Sequence, residues 1–265
     1  MTREVVPPSR PSHIATLING VDRYNPSNCH LLEEYVQQQL SNSSYDLLSN
    51  LALLKLYQFN PSLLSPSATL SILFLCLVHR PFDPDFSLAW SLLGDSFVVG
   101  ASLPPAPLDS DDEEDELPKA AEPQGEKEAA HRFKQLSQYL QARKFKLFWS
   151  SIRGNSSEGD KATEVNKILS EMKEAAEGWE RVTREQIAIE LEQSFRGLDQ
   201  KTTQVFLGLQ DGSDELKTLK EQRGWTEQGQ DVKFLKNDSN SPTSTVTNEK
   251  ITIDQLSRLL GRTQA

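Results

Sequence analysis

Apolar residues crowd into the stretch Tyr45–Pro61, which reads Tyr-Asp-Leu-Leu-Ser-Asn-Leu-Ala-Leu-Leu-Lys-Leu-Tyr-Gln-Phe-Asn-Pro. At its start, Asp46 can accept from the free amides of a first helical turn. At its end, Pro61 lacks an N–H and pushes Asn60 out of the α region. A helix between these bounds carries Leu47, Leu48, Leu51, Leu53, Leu54, Leu56, Tyr57 and Phe59 around nearly its whole circumference. A surface helix keeps a polar face, so this one is expected to lie between neighbours as the central helix of an all-helical unit.

The flanking patterns supply those neighbours. Asn25-Pro26 is a helix start, and Leu31, Leu32, Tyr35, Val36 and Leu40 follow on one face. A third helix runs from near Pro66 to Arg80-Pro81 with Leu70, Ile72, Leu73, Leu75, Cys76 and Leu77. A fourth begins near Asp85 with Phe86, Leu88, Ala89, Leu92, Leu93 and Phe97. Starts near Pro26, Asp46, Pro66 and Phe86 fall about twenty residues apart, a two-helix unit of about forty that matches HEAT-like stacks. Helical patterning lapses after Leu103 and resumes at His131 with Phe133, Leu136, Tyr139 and Leu140, then Phe145, Phe148, Trp149 and Ile152.

Past Gly154–Gly159 come helices at about 161–176 and 184–195, one opened by Asp199 or Thr202, and one from Ser213 to Gly224. The period then changes to two. Asp231–Leu235 and Lys250–Ile253 read as strands around a polar loop, and Asp254–Leu260 as a last helix. Helices followed by a small hairpin give the layout of a winged helix. The fold class expected is therefore mainly α: a HEAT-like right-handed helical repeat domain, then a small α+β winged-helix domain. The partition is a flexible tail over 1–17, the helical domain over 18–156 with a disordered acidic insertion over about 103–130, the winged helix over 157–261, and a tail over 262–265.

Charge changes this picture only locally. The net charge is −10, but Asp109–Glu128 alone holds ten acidic residues against two lysines, which leaves the body near neutral. Like charges at that density repel and cannot form a core. A near-neutral body has no electrostatic footprint for general nucleic-acid binding. Two cysteines, Cys29 and Cys76, are too few for a disulfide framework and favour a reducing compartment. The N-terminus has no signal-peptide core, and the longest apolar run, Leu70–Val78, is half the length a bilayer requires. No membrane contact and a cytoplasmic location are expected.

Candidate chemistry is sparse. The chain has no Gly-rich phosphate loop, no His-Glu-x-x-His, no Gly-x-Ser-x-Gly and no Cys-x-x-Cys. Cys76 and His79 sit one helical turn apart, yet zinc wants four ligands and no second pair is evident, so a core cysteine is the better reading. The acidic run lacks the spaced ligands and glycine turn of a calcium loop. Arg143–Trp149 mixes basic and aromatic residues in a manner that suits single strands, but helical spacing puts Phe145, Phe148, Trp149 and Ile152 on one buried stripe. The expected recognition helix, around Asp211–Arg223, sets four acidic residues against three basic ones, which favours protein over DNA as its partner. No catalytic residue, cofactor or metal is assigned.

Gly-Val-Asp-Arg-Tyr-Asn-Pro at 20–26, Leu-Glu-Glu-Tyr-Val at 32–36 and, above all, Leu-Lys-Leu-Tyr-Gln-Phe-Asn-Pro at 54–61 resemble the k subunits of eukaryotic translation initiation factor three. Weaker echoes at Phe145–Trp149 and Arg223-Gly224-Trp225 extend the resemblance over most of residues 18–260. It implies a PCI-type architecture and a non-catalytic scaffold subunit. The l subunit is implied as chief partner, and the small ribosomal subunit is engaged through the whole complex, with no direct RNA contact. A PCI-type subunit of the proteasome lid or signalosome, or a nucleic-acid-binding winged-helix protein, is the alternative. Since PCI-type subunits resemble one another in joining edge to edge through their winged helices, Val232, Phe234, Ile251 and Ile253 are expected to supply the sheet. Leu256, Leu259 and Leu260 are expected to help dock the partner.

Overall fold

The computed structural model describes residues 7–98, 124–153, 160–210, 214–242, 252–253 and 255–257. Its helical part contains α1 (Ser12–Asn19), α2 (Cys29–Ser41), α3 (Leu47–Phe59), α4 (Pro66–His79), α5 (Asp85–Ser91), α6 (Asp95–Val98), α7 (Gln124–Gln141), α8 (Phe145–Ile152), α9 (Asp160–Ala175) and α10 (Trp179–Ser194).

The central helix is α4, not α3. Every residue from Ala68 to Val78 is buried. The helices α2, α5, α7 and α10 surround it. Ser65 caps its first turn, and Pro66 sits where a helix tolerates proline best. Its buried hydroxyls are satisfied within the helix, Thr69 donating to the Ser65 carbonyl and Ser71 to that of Ser67, both at 2.9 Å. By contrast α3 buries Leu53, Leu54, Leu56 and Tyr57 but leaves Leu48 and Phe59 in solvent. Its apolar residues do surround the helix; the protein covers only one side of them.

The expected N-terminal tail is shorter than residues 1–17. Ile14, Leu17 and Ile18 of α1 are buried against the helical core. Arg10, just before it, is fixed by Asp46, whose carboxylate receives Nε at 2.5 Å and Nη2 at 2.6 Å. The same carboxylate caps α3 at the Ser49 amide, and the Asp46 amide donates to Gln39 Oε1 at 2.7 Å. Proline around positions 7–11 hides this anchor, because three apolar residues in one short helix give little periodicity. The acidic insertion also ends earlier than residue 130: α7 starts at Gln124, and Ala129 and Ala130 are fully buried. Residues 103–123 of that insertion lie outside the described residues, as does the Gly154–Gly159 segment. Beyond it, α9 packs on α7 and α10 on α4, so both helices share the core. The start of α10 at Trp179 precedes the expected 184, because Trp179 packs edge-on against Phe74, with ring centroids 6.0 Å apart.

The α+β part follows directly. Strand β1 (Gly197–Asp199) leads into α11 (Gln200–Leu207) and α12 (Glu215–Arg223), then β2 (Thr226–Gln228) and β3 (Asp231–Lys233). The sheet is antiparallel in the order β1-β3-β2, with Val232 opposite both Leu198 and Glu227. This is a winged helix, but its hairpin is not the expected one. The turn is Gly229-Gln230, with Gly229 at φ +65°, a conformation glycine adopts at no steric cost. Lys250 and Ile251 lie outside the described residues. Thr252 is outside the sheet, and Ile253 is helical.

Candidate functional site

The winged helix is held by a compact apolar centre. Val232 is fully buried at the middle of β3, and Phe234 packs edge-on against Trp225 with ring centroids 4.9 Å apart. Of the four residues expected to supply the sheet, Val232 lies on β3 and Phe234 one residue beyond it, both with buried side chains. Beyond β3 the chain is stapled to the end of α10. Asn240 Nδ2 donates to the carbonyls of Glu192 and Leu235, each at 2.8 Å, and Asn237 Nδ2 donates to Glu192 O at 2.9 Å. These two asparagines hold the first residues of the polar loop expected after Leu235.

Joining the two parts is a contact between α8 and α11. Phe145, Phe148, Trp149 and Ile152 form the expected buried stripe. Trp149 Nε1 donates to Phe206 O at 2.9 Å, and Arg153 Nη2 donates to Gly208 O at 2.7 Å.

The charges of α12 are spent internally. Arg223 pairs with Glu192 at 3.1 Å, Lys217 lies 3.6 Å from Asp214, and Lys220 binds Glu227. The Lys220 ammonium, by hydrogen bond and charge, holds the Glu227 carboxyl below its usual range. A recognition helix that reads DNA needs cations free for phosphates and bases. Here all three are already beside carboxylates.

Two features of this part face outward. All three residues of β2, at one edge of the sheet, are exposed. At the C-terminal end, Thr252 N donates to Gln255 Oε1 at 2.9 Å and Leu256 N to Thr252 O at 3.1 Å, a capping-box start for a helical turn. On that turn Ile253 is 84% and Leu256 48% exposed, three residues apart and so on one face. Ile251, Leu259 and Leu260 lie outside the described residues.

The Tyr45 hydroxyl donates to Asp85 Oδ2 at 2.8 Å, lies 3.4 Å from Cys76 Sγ, and its ring stacks on His79 with centroids 5.6 Å apart. Burial, then Cys76 and Asp85, pushes the Tyr45 phenol far up, and burial with the Arg80 charge pushes His79 down to about 4. The adjoining cavity, lined by Phe74, His79 and Trp179, has about 10 Å³ of space for a water centre, far too little for a substrate. Among the described residues no group of three or more His, Cys, Asp or Glu is placed to hold a metal, and no helix is long and apolar enough to cross a membrane.

Residues 64–245 match the CSN8/PSMD8/EIF3K family. Eukaryotic translation initiation factor 3 subunit K of Mycosarcoma maydis is 34% identical, with 98% of this chain and 94% of that protein aligned. The subunit K proteins of Phaeosphaeria nodorum and Sclerotinia sclerotiorum are 32% and 33% identical, each over 96% of this chain and 94% of theirs. These alignments run through both the helical part and the winged helix, so the likeness is to the entire arrangement described above. The chain belongs to the CSN8/PSMD8/EIF3K family and, within it, to the subunit K proteins of eukaryotic translation initiation factor 3.

Proposed function

We propose that this chain is a non-catalytic scaffold subunit of the initiation factor, bound chiefly to the l subunit, that supports assembly of the small-ribosomal-subunit preinitiation complex in the cytoplasm. The observation that carries the reading is the division of labour in the winged helix. Its recognition-helix cations each lie beside a carboxylate of the protein, while a polar sheet edge and an apolar helical face are left to solvent. A bare edge strand is a template for a strand from another chain, and an apolar helical face is covered by packing. In this reading Val232 and Phe234 hold the winged helix together from within. Ile253 and Leu256, with Leu259 and Leu260 further along, are the docking side chains.

The test removes the docking element in two ways. Deleting residues 254–265, or replacing Ile253 and Leu256 by aspartate, should lower the amount of l subunit that co-purifies by about tenfold or more, the scale of one or two buried aliphatic anchors. The point variants alter exposed residues, so the fold survives them. Unchanged co-purification of both variants would remove this helix from the interface.

A further inference from the structure

One face of α3 is only partly covered by the fold. Leu48, Leu51, Ala52, Lys55 and Phe59 share an arc of about 100° around the helix. The opposite arc carries Leu53, Leu54 and Tyr57 into the core. The 3-10 turn Val21–Tyr24 on one side and Leu92 on the other turn this partly covered face into a groove of about 450 Å³, with Ile18, Leu48, Leu51 and Ala52 contributing its apolar lining. Val21 at 84% and Phe59 at 61% exposure extend the apolar surface to either side.

Two cations stand on the groove. The Arg23 guanidinium lies over the Tyr24 ring at 4.7 Å, and Lys55 Nζ over the Phe59 ring at 4.8 Å. Their hydrogen bonds go to neutral groups, Arg23 to the Tyr24 hydroxyl at 2.7 Å and Lys55 to Gln58 Oε1 at 2.6 Å. Among the described residues neither meets a carboxylate, in contrast to the paired cations of α12.

We propose that this groove binds an amphipathic helix of another polypeptide of the assembly, apolar on the face it buries and carboxylate-bearing beside it. The groove runs along about two turns of α3, from Leu48 to Lys55, which suits two apolar side chains at helical spacing, and its two cations supply the charge that aligns them. Aromatic-backed cations that meet no carboxylate among the described residues favour an acidic segment over a basic one at this groove. This surface lies on the helical part, so the inference stands whether or not the C-terminal helix docks the l subunit.

The test is photocrosslinking in the assembled factor, with p-benzoylphenylalanine in place of Ala52 and the cross-linked peptides identified by mass spectrometry. The expected result is one segment of another polypeptide, with apolar residues at helical spacing and Asp or Glu beside them. Arg23→Glu combined with Lys55→Glu should lower its yield about tenfold. Lys55→Gln, which only removes a charge, should lower it less. An unchanged melting curve confirms that these surface variants fold. Cross-links confined to this chain or to a second copy of it, a partner segment without carboxylates, a yield insensitive to all charge variants, or no cross-link at all would each overturn the proposal.

Discussion

Replacing Arg10 by alanine should cost far more stability than its place near the N-terminus suggests. The Arg10 and Asp46 side chains are 1% and 0% exposed and joined by two charge-assisted hydrogen bonds. The Asp46 hydrogen bond, opposed by burial, raises the Arg10 pKa above its ordinary value, so the guanidinium is a permanent partner. Removing it leaves a buried carboxylate with the Ser49 amide, at 3.3 Å, and a distant Tyr35 hydroxyl, at 3.4 Å. Breaking one side of a buried pair costs about 3–5 kcal/mol, a large share of the roughly 5–15 kcal/mol that holds a typical domain together. At roughly 2–4 °C per kcal/mol, the melting temperature should fall by on the order of 10 °C. Urea unfolding followed by far-UV circular dichroism measures this directly. The companion variant Arg10→Met with Asp46→Asn removes both charges and keeps an acceptor for the α3 cap, so it should recover all but about 1 kcal/mol. If Arg10→Ala alone loses only about 1 kcal/mol, residues 7–11 peel away and water reaches Asp46. The claim that this pair locks α1 to α3 would then be wrong.

Two further perturbations test other joints. His79 is held near 4 against its ordinary 6.5, so between those values the unfolded chain takes up a proton that the folded protein refuses. Its contribution to stability is therefore full above about pH 6.5 and falls by on the order of 3 kcal/mol as pH drops to about 4. Urea melts at pH 7 and 4.5 should differ more for the wild type than for His79→Phe, and equal differences would refute the assignment. Gly208 has φ +63°, and a Cβ there would lie 2.4 Å from the Trp149 ring. Gly208→Ala should cost about 2–4 kcal/mol and speed amide exchange in α11, whereas wild-type stability would contradict the close packing of α8 against α11.

How far the sequence could be read depended on what left a periodic trace. The bounds of α3 and α4 were legible because Asp46, Pro61, Ser65-Pro66 and Arg80-Pro81 mark them with capping and proline chemistry. Which of the two is central was not. Both are apolar all round, and only the packing shows that α4 is enclosed while α3 keeps a partly covered face. The α+β class was legible from the helix-to-strand change near Trp225, yet β2 was missed. Thr226–Gln228 is wholly polar and exposed, and it joins the sheet through its backbone alone. The glycine turn at Gly229 was the signal that could have placed it. Ile251-Thr252-Ile253 alternates like a strand, but the Thr252–Gln255 capping box starts a helix at Ile253 instead. The Arg10 anchor had no periodic signal at all, since a buried ion pair joins residues far apart in sequence. For the candidate site, Val232 and Phe234 were expected to supply the sheet, and their side chains are buried. The groove on α3 was visible only as an excess of leucine.

The central claim, that this chain works by holding other subunits of the initiation factor, is tested most directly by purifying the affinity-tagged chain from its own cells and quantifying what comes with it. The account predicts initiation factor 3 subunits in near-stoichiometric amounts, with the l subunit retained at the highest salt. Recovery of proteasome-lid or signalosome subunits instead, or of the tagged chain alone, would contradict it.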